Sequence, residues 1–206
     1  LYIIPMVFIN LLIPRLNLGK KNENITQELK SIKLKDEVFN ALIQSQPYYE
    51  INKATSCILF GNMDSKNLLT IVTNPHCEPC AELHKKVMLL LRNCKEIFCI
   101  QYIFLNFQGK EDSAKYLIGV YKNYDIETVE DIYTEWFNRG GKYNQTLFSN
   151  RYPVNADSKT EEEFLAHQEW QEGAKISSTP TVFINGYQLS RLYQLEELNM
   201  LDFTAE

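Results

Sequence analysis

The chain has 206 residues, a formal net charge of −5, and 45% hydrophobic with 12% aromatic residues. That is apolar material enough for one ordinary globular domain with additions, and the acidic balance excludes the basic footprint of a nucleic-acid binder. Five cysteines are too few for a disulfide scaffold, and an odd number cannot all pair within the chain.

Leu1 to Pro14 is almost wholly apolar, with Asn10 the main exception. Such a stretch falls short of the roughly 20 residues that span a bilayer, and it lacks the charged start and small-residue cleavage site of a signal peptide. It reads either as the tail of a membrane helix whose start is missing or as an apolar or interfacial segment. Leu1 in place of Met reads as a fragment or a processed product. Arg15, Lys20 and Lys21 favour a cytoplasmic side for the segment, in conflict with the oxidising compartment that a disulfide-forming dithiol would occupy. Residues 15–50 read as a helical connector. Ile25, Leu29, Ile32, Phe39 and Ile43 share one helical face, and Gln46-Pro47 ends the helix.

Cys57–Phe60 and Gly61-Asn62 then suggest a short edge strand and a turn. Residues 68–73 form a central strand. It leads to Cys77-Glu78-Pro79-Cys80, which opens a helix over 78–93 whose core stripe is Leu83, Val87, Leu90 and Leu91. A second β-rich run comes next over 97–107, so β-α-β spacing makes the two strands parallel. From Gln108 to Ser177 the pattern is helical: about 112–124, 127–139 and 158–175, the last with a capping box at Ser158 and Glu161. Gly140-Gly141 breaks the chain after the second of these helices. Tyr133, Trp136 and Phe137 read as a core face. Thr179-Pro180 opens a strand, Asn185-Gly186 turns it, and a second strand spans 187–189. A proline heading a buried strand is an odd choice unless it serves a site. A helix over 190–201 closes the chain, with Leu192, Leu195, Leu198 and Leu201 inward.

A C-x-x-C at a strand-to-helix junction is the arrangement of a dithiol redox centre. The helix N-terminus favours the first cysteine as a thiolate, and the second lies one turn away. Cys77 is therefore the candidate nucleophile and Cys80 the resolving thiol. Zinc is the rival reading, because Cys94 and Cys99 complete a C-x2-C-x13-C-x4-C pattern. A helix between Cys80 and Cys94 separates them by roughly 21 Å, at about 1.5 Å per residue, whereas each thiolate must lie about 2.3 Å from the metal. Cys57, Cys94 and Cys99 read as small buried hydrophobes, with a Cys94–Cys99 disulfide as the alternative. Glu78 places a negative charge beside the nucleophile and should raise its pKa, an effect partly offset at a helix start. The expected potential is nearer the about −270 mV of thioredoxin than the about −120 mV of strong oxidants. His76 either tunes the nucleophile when protonated or faces solvent, and His84 reads as a packed or capping residue.

The dithiol taken with Ser178-Thr179-Pro180-Thr181-Val182-Phe183-Ile184-Asn185-Gly186-Tyr187 resembles the thioredoxin superfamily. The helical stretch of about seventy residues between them resembles its DsbA-like branch. In finer detail, Asn74–His84 with Thr179–Leu189 is similar to the thioredoxin-like domain fused to bacterial vitamin K epoxide reductase homologues. The resemblance implies an α/β thioredoxin-like fold over 51–206, with a helical insertion at about 108–177 between the second core strand and the cis-Pro strand. It implies a thiol–disulfide oxidoreductase acting on protein or peptide cysteines, with Cys77, Cys80 and Pro180 catalytic and Thr179 and His76 at the substrate. No cofactor and no metal are implied. The implied redox partner is a membrane quinone-linked reductase, residues 1–14 being the end of its last membrane helix. The implied location is the periplasmic face of the membrane, with an N-terminal tether. A non-catalytic module that holds extended peptides beside Pro180 is the alternative.

Overall fold

The computed structural model describes residues 23–105, 111–139, 145–155 and 157–203. These fall into two compact units, one ending at Leu42 and one running from Ile43. The first holds α1 (23–33) and most of α2 (Asp36–Gln44). The connector is thus not one continuous helix. Lys30 and Lys33 suit the C-terminal end of α1, while Asp36 and Glu37 suit a new helix start. Ile25, Leu29 and Ile32 stay exposed while Phe39 and Ile43 are buried, so the expected stripe is not buried along its whole length.

In the second unit, a five-stranded sheet has the order β1 (Leu59–Gly61), β3 (Phe98–Phe104), β2 (Asn67–Thr73), β4 (Thr181–Ile184), β5 (Tyr187–Gln188). β2 and β3 are buried along almost their whole length, as strands covered on both faces must be. They run parallel, joined by α3 (Glu78–Cys94). The other pairings are antiparallel. One polar residue interrupts the apolar run of β3. Gln101 is fully buried; it accepts from the Thr70 hydroxyl at 3.0 Å and donates to the carbonyls of Asn52 (3.0 Å) and Ser56 (3.1 Å). A buried amide left unpaired would cost about 1–3 kcal/mol, so these bonds tie the segment before β1 to the sheet. At the β4–β5 turn both Asn185 (φ 48°) and Gly186 (φ 85°) are left-handed, the requirement of a type I′ hairpin. A Cβ at Gly186 would stand 2.6 Å from the Tyr49 carbonyl oxygen, so this position needs glycine on both counts.

The insertion between β3 and β4 is helical: α4 (Glu111–Asn123), α5 (Ile126–Arg139), α6 (Gln145–Arg151) and α7 (Ser158–Ala174). α6 was not expected from the pattern, because its seven residues bury only Phe148 and show no helical period. α7 is capped by Asp157 rather than Ser158. The Asp157 carboxylate accepts the Thr160 N–H at 2.8 Å, and a charged acceptor suits a helix start. β1 begins at Leu59, so Cys57 lies in the bend before it, not in the strand. β3 ends at Phe104 within the expected run; residues 106–107 lie outside the described residues. The expected terminal helix is reduced to a 3-10 turn at Leu195–Met200. Upstream, the Ser190 hydroxyl takes the Leu192 N–H and its carbonyl takes the Tyr193 N–H, giving the chain a turn that competes with helix.

Among the described residues no helix is long and apolar enough to cross a membrane. That finding overturns the expected membrane tether. Residues 1–14, on which the tether reading rested, lie outside the described residues.

Candidate active site

β2 delivers the chain to Asn74, which organises the turn into α3. The Asn74 side-chain oxygen accepts the His76 N–H at 2.8 Å, and its carbonyl accepts the Cys77 N–H at 3.2 Å. Cys77 is then the N-cap of α3 in an extended conformation (φ −86°, ψ 126°), with Pro79 in the first turn. Proline fits there because its missing N–H would have no helical partner. The Cys77 sulfur accepts the Cys80 N–H at 3.3 Å, so a backbone donor at a helix start faces the sulfur of the candidate nucleophile.

The distant strand completes the site. The Thr179–Pro180 peptide is cis, and the Thr179 carbonyl oxygen lies 3.6 Å from Cys77 Sγ, placed to receive its S–H. Cys77 is half-buried and Cys80 buried; both carry free thiols. The Cys80 sulfur accepts the Asn74 N–H at 3.5 Å. Burial, followed by its hydrogen bond with Cys77, pushes the Cys80 thiol well above the usual range, against donors from Asn74, Thr73 and Thr179. A half-buried sulfur with a buried, protonated thiol beside it is an arrangement that exchange chemistry can use.

The structure thus brings Cys77, Cys80, Thr179 and Pro180 together. His76 faces the helical insertion. Its Nε2 lies 2.7 Å from the Ser113 hydroxyl, which donates in turn to the Gln145 side-chain oxygen at 2.6 Å. The one Ser113 proton is therefore committed, so the His76 proton resides on Nε2. Its ring meets Trp136 edge to face at 6.2 Å. Fully buried Trp136 donates its indole N–H to the Pro75 carbonyl at 3.0 Å. Asn74 and Trp136 were not singled out as site residues from sequence. The Asn-Pro dipeptide is a turn signal that points to Asn74, whereas nothing local marks Trp136.

The sequence profile of the family described as Thioredoxin matches residues 53–201. The chain belongs to the thioredoxin family. Among solved structures, oxidised BdbD from Bacillus subtilis is similar with a TM-score of 0.58 at 12% identity, over 74% of this chain and 94% of that one. ScsC from Proteus mirabilis, in a transitional conformation, gives 0.58 at 13% identity over 96% and 92%. The oxidoreductase DsbA from Xylella fastidiosa gives 0.53 at 14% identity over 68% and 84%. At these identities the likeness is one of fold, and it covers the sheet together with the helical insertion. No curated protein matches the chain.

Two further clusters surround this thioredoxin-family site. His84, one turn below Cys80 on α3, is buried against Phe137 (ring centroids 4.6 Å) and its Nδ1 lies 2.8 Å from the Tyr102 hydroxyl. Its Nε2 has no partner among the described residues, and burial lowers its pKa to about 3. The second cluster is Cys57, Glu163 and His167. Fully buried His167 accepts the Phe104 N–H on Nδ1 at 3.3 Å, so Nε2 carries the proton and reaches Ser56 Oγ (2.8 Å) and Glu163 Oε1 (3.1 Å). Glu163 also accepts the Cys57 N–H at 2.7 Å. Desolvation works to raise the Glu163 carboxyl, but the bonds from His167 and Cys57 outweigh it and hold the group at about 2. Cys57 is an exposed residue, not the buried hydrophobe expected. Even so, desolvation around its sulfur, followed by the Glu163 charge, pushes its thiol up to about 12. Cys94 and Cys99 are buried with free thiols, so the alternative disulfide between them is not formed.

Proposed function

We propose that the chain is a thiol–disulfide oxidoreductase acting on protein or peptide cysteines. The observation that carries this reading is the Cys77 sulfur, which meets a helix-start N–H on one side and the carbonyl preceding Pro180 on the other. In the oxidising direction, the enzyme holds a Cys77–Cys80 disulfide. A substrate thiolate attacks Cys77 Sγ and Cys80 leaves; its raised pKa then favours uptake of a proton, which holds it in the thiol form. A second substrate thiolate then attacks the substrate sulfur of the mixed disulfide and releases Cys77. The substrate loses two electrons and two protons, and the enzyme is left as the dithiol. In the reducing direction the same steps run backwards, with Cys77 as attacker. Thr179 lies where an extended substrate could add to its backbone, Pro180 shapes that edge, and His76 flanks the nucleophile. A quinone-linked membrane reductase of the vitamin K epoxide reductase type is the proposed acceptor that restores the disulfide. Quinone reduction matched to loss of enzyme thiols, in a reconstituted mixture, would measure that step.

The primary test is turnover. The protein should accelerate the reduction of insulin by dithiothreitol or the reshuffling of scrambled ribonuclease, and Cys77→Ser should lose this activity by several orders of magnitude. A wild-type protein that binds peptides but turns over no faster than Cys77→Ser is a peptide-holding module, and the proposal fails.

A further inference from the structure

Beside Pro180 the surface opens into a groove of about 220 Å³ between α3, β4, β5 and the segment after β5. Leu83, Val182 and Leu189 line it and are all half-buried, so they offer apolar surface to an occupant. The charged residues lining it, among the described residues, are both cations: Lys86 and Arg191. Glu196 pairs with Lys86, so Arg191 carries the groove's uncompensated positive charge. The two are not equivalent. Lys86 is engaged, with its Nζ 3.0 Å from Glu196 Oε1 and 3.2 Å from Gln194 Oε1. Arg191 is exposed and has no ion-pair partner among the described residues. Leu192 beside it is 59% exposed.

We propose that Arg191 selects substrates whose reacting cysteine is followed or preceded, within a few residues, by an acidic side chain. The occupant of the groove is an extended acidic–apolar peptide segment, whose cysteine reaches the dithiol at the Pro180 end. An apolar side chain covers Leu83, Val182 and Leu189, and a carboxylate takes the fork of guanidinium donors, a geometry suited to two parallel hydrogen bonds. Arg191 acts through binding and takes no part in the sulfur chemistry. The identity of the occupant rests on the exchange reading above.

The test separates the two. Fluorescent linear peptides carry serine at the reactive position and differ only in having aspartate or lysine beside an apolar residue. They are titrated by anisotropy into the Cys77→Ser/Cys80→Ser protein, where no exchange can occur. At low salt the aspartate peptide should bind about five-fold tighter, the ratio expected of one open ion pair. Arg191→Lys should keep the part of the preference that charge alone supplies, Arg191→Gln should erase it, and Arg191→Glu should reverse it. Equal binding of the two peptides, a lysine preference, or no binding of either overturns the proposal. Failure of the exchange reading would instead appear in the insulin assay, with peptide selectivity intact.

Discussion

The molecule places an unburied cysteine and a buried histidine near each other twice, and the two neighbourhoods differ in what faces the sulfur. Cys77 meets a backbone N–H at a helix start, with His84 one turn beyond Cys80. Cys57 meets a carboxylate, with His167 behind it. N–H groups stabilise negative charge on sulfur, whereas a neighbouring anion opposes it. Exposure alone therefore does not make a thiol reactive: Cys57 is the more exposed of the two, yet its surroundings keep it protonated. The histidines differ in the same way. Both His167 nitrogens are bonded, whereas His84 Nε2 has no partner among the described residues.

The sharpest way to break this comparison is alkylation at pH 8, followed by peptide mass mapping. With a thiol at about 12, Cys57 should react about a thousandfold more slowly than an ordinary exposed cysteine, and Cys77 should be modified first. Cys57 reacting as fast as Cys77 would end the contrast. Next in size are the histidines. His167→Leu leaves the Glu163 carboxylate with the Cys57 N–H alone, strands the Phe104 N–H, and should lower unfolding free energy by about 3–5 kcal/mol. His84→Leu strands only the Tyr102 hydroxyl and should cost about 1–3 kcal/mol, most of it recovered by adding Tyr102→Phe. Urea unfolding decides, and a larger loss at His84 would invert the reading.

The smallest effect sharpens the role of Glu163. Glu163→Gln removes the charge but not the desolvation at Cys57, so alkylation there should rise about ten-fold, the equivalent of one unit, with Cys77 unchanged. The same variant tests acid stability. The Glu163 pKa of about 2 lies below its unfolded value, so its contribution is complete above about pH 4.3. It is lost as pH falls toward 2, because the unfolded chain takes up the proton first. Glu163→Gln should flatten the fall of the urea midpoint across that window.

The dithiol, its strand and helix, the parallel partner strand and the Thr-Pro hairpin were legible because each is specified locally, by a strand period, a helix stripe or a turn dipeptide. The helical insertion was legible as a region, although α6 buries too little to show a period. The Cys57 environment was not legible. Its partners Glu163 and His167 lie more than a hundred residues away, and a cysteine before an apolar pair reads as strand until the fold brings a carboxylate to it. The terminal helix failed for a smaller reason: a stripe of leucines fits a 3-10 turn as well as an α-helix, and the competing Ser190 turn is local chemistry that periodicity does not weigh.

Both outer strands of the sheet carry partners on their outer edges, at Leu59 of β1 and along β5. On one side the Tyr121 hydroxyl accepts the Leu59 N–H at 3.1 Å and donates to the Leu59 carbonyl at 3.0 Å. On the other, residues 47–49 bond to Gly186 and Gln188 and cover β5. Unpaired borders are where sheets recruit foreign chains and grow into aggregates. A protein with the exchange activity proposed above would meet such chains constantly. With both borders guarded, it would admit a client next to the two sulfurs without becoming a seed for polymer growth.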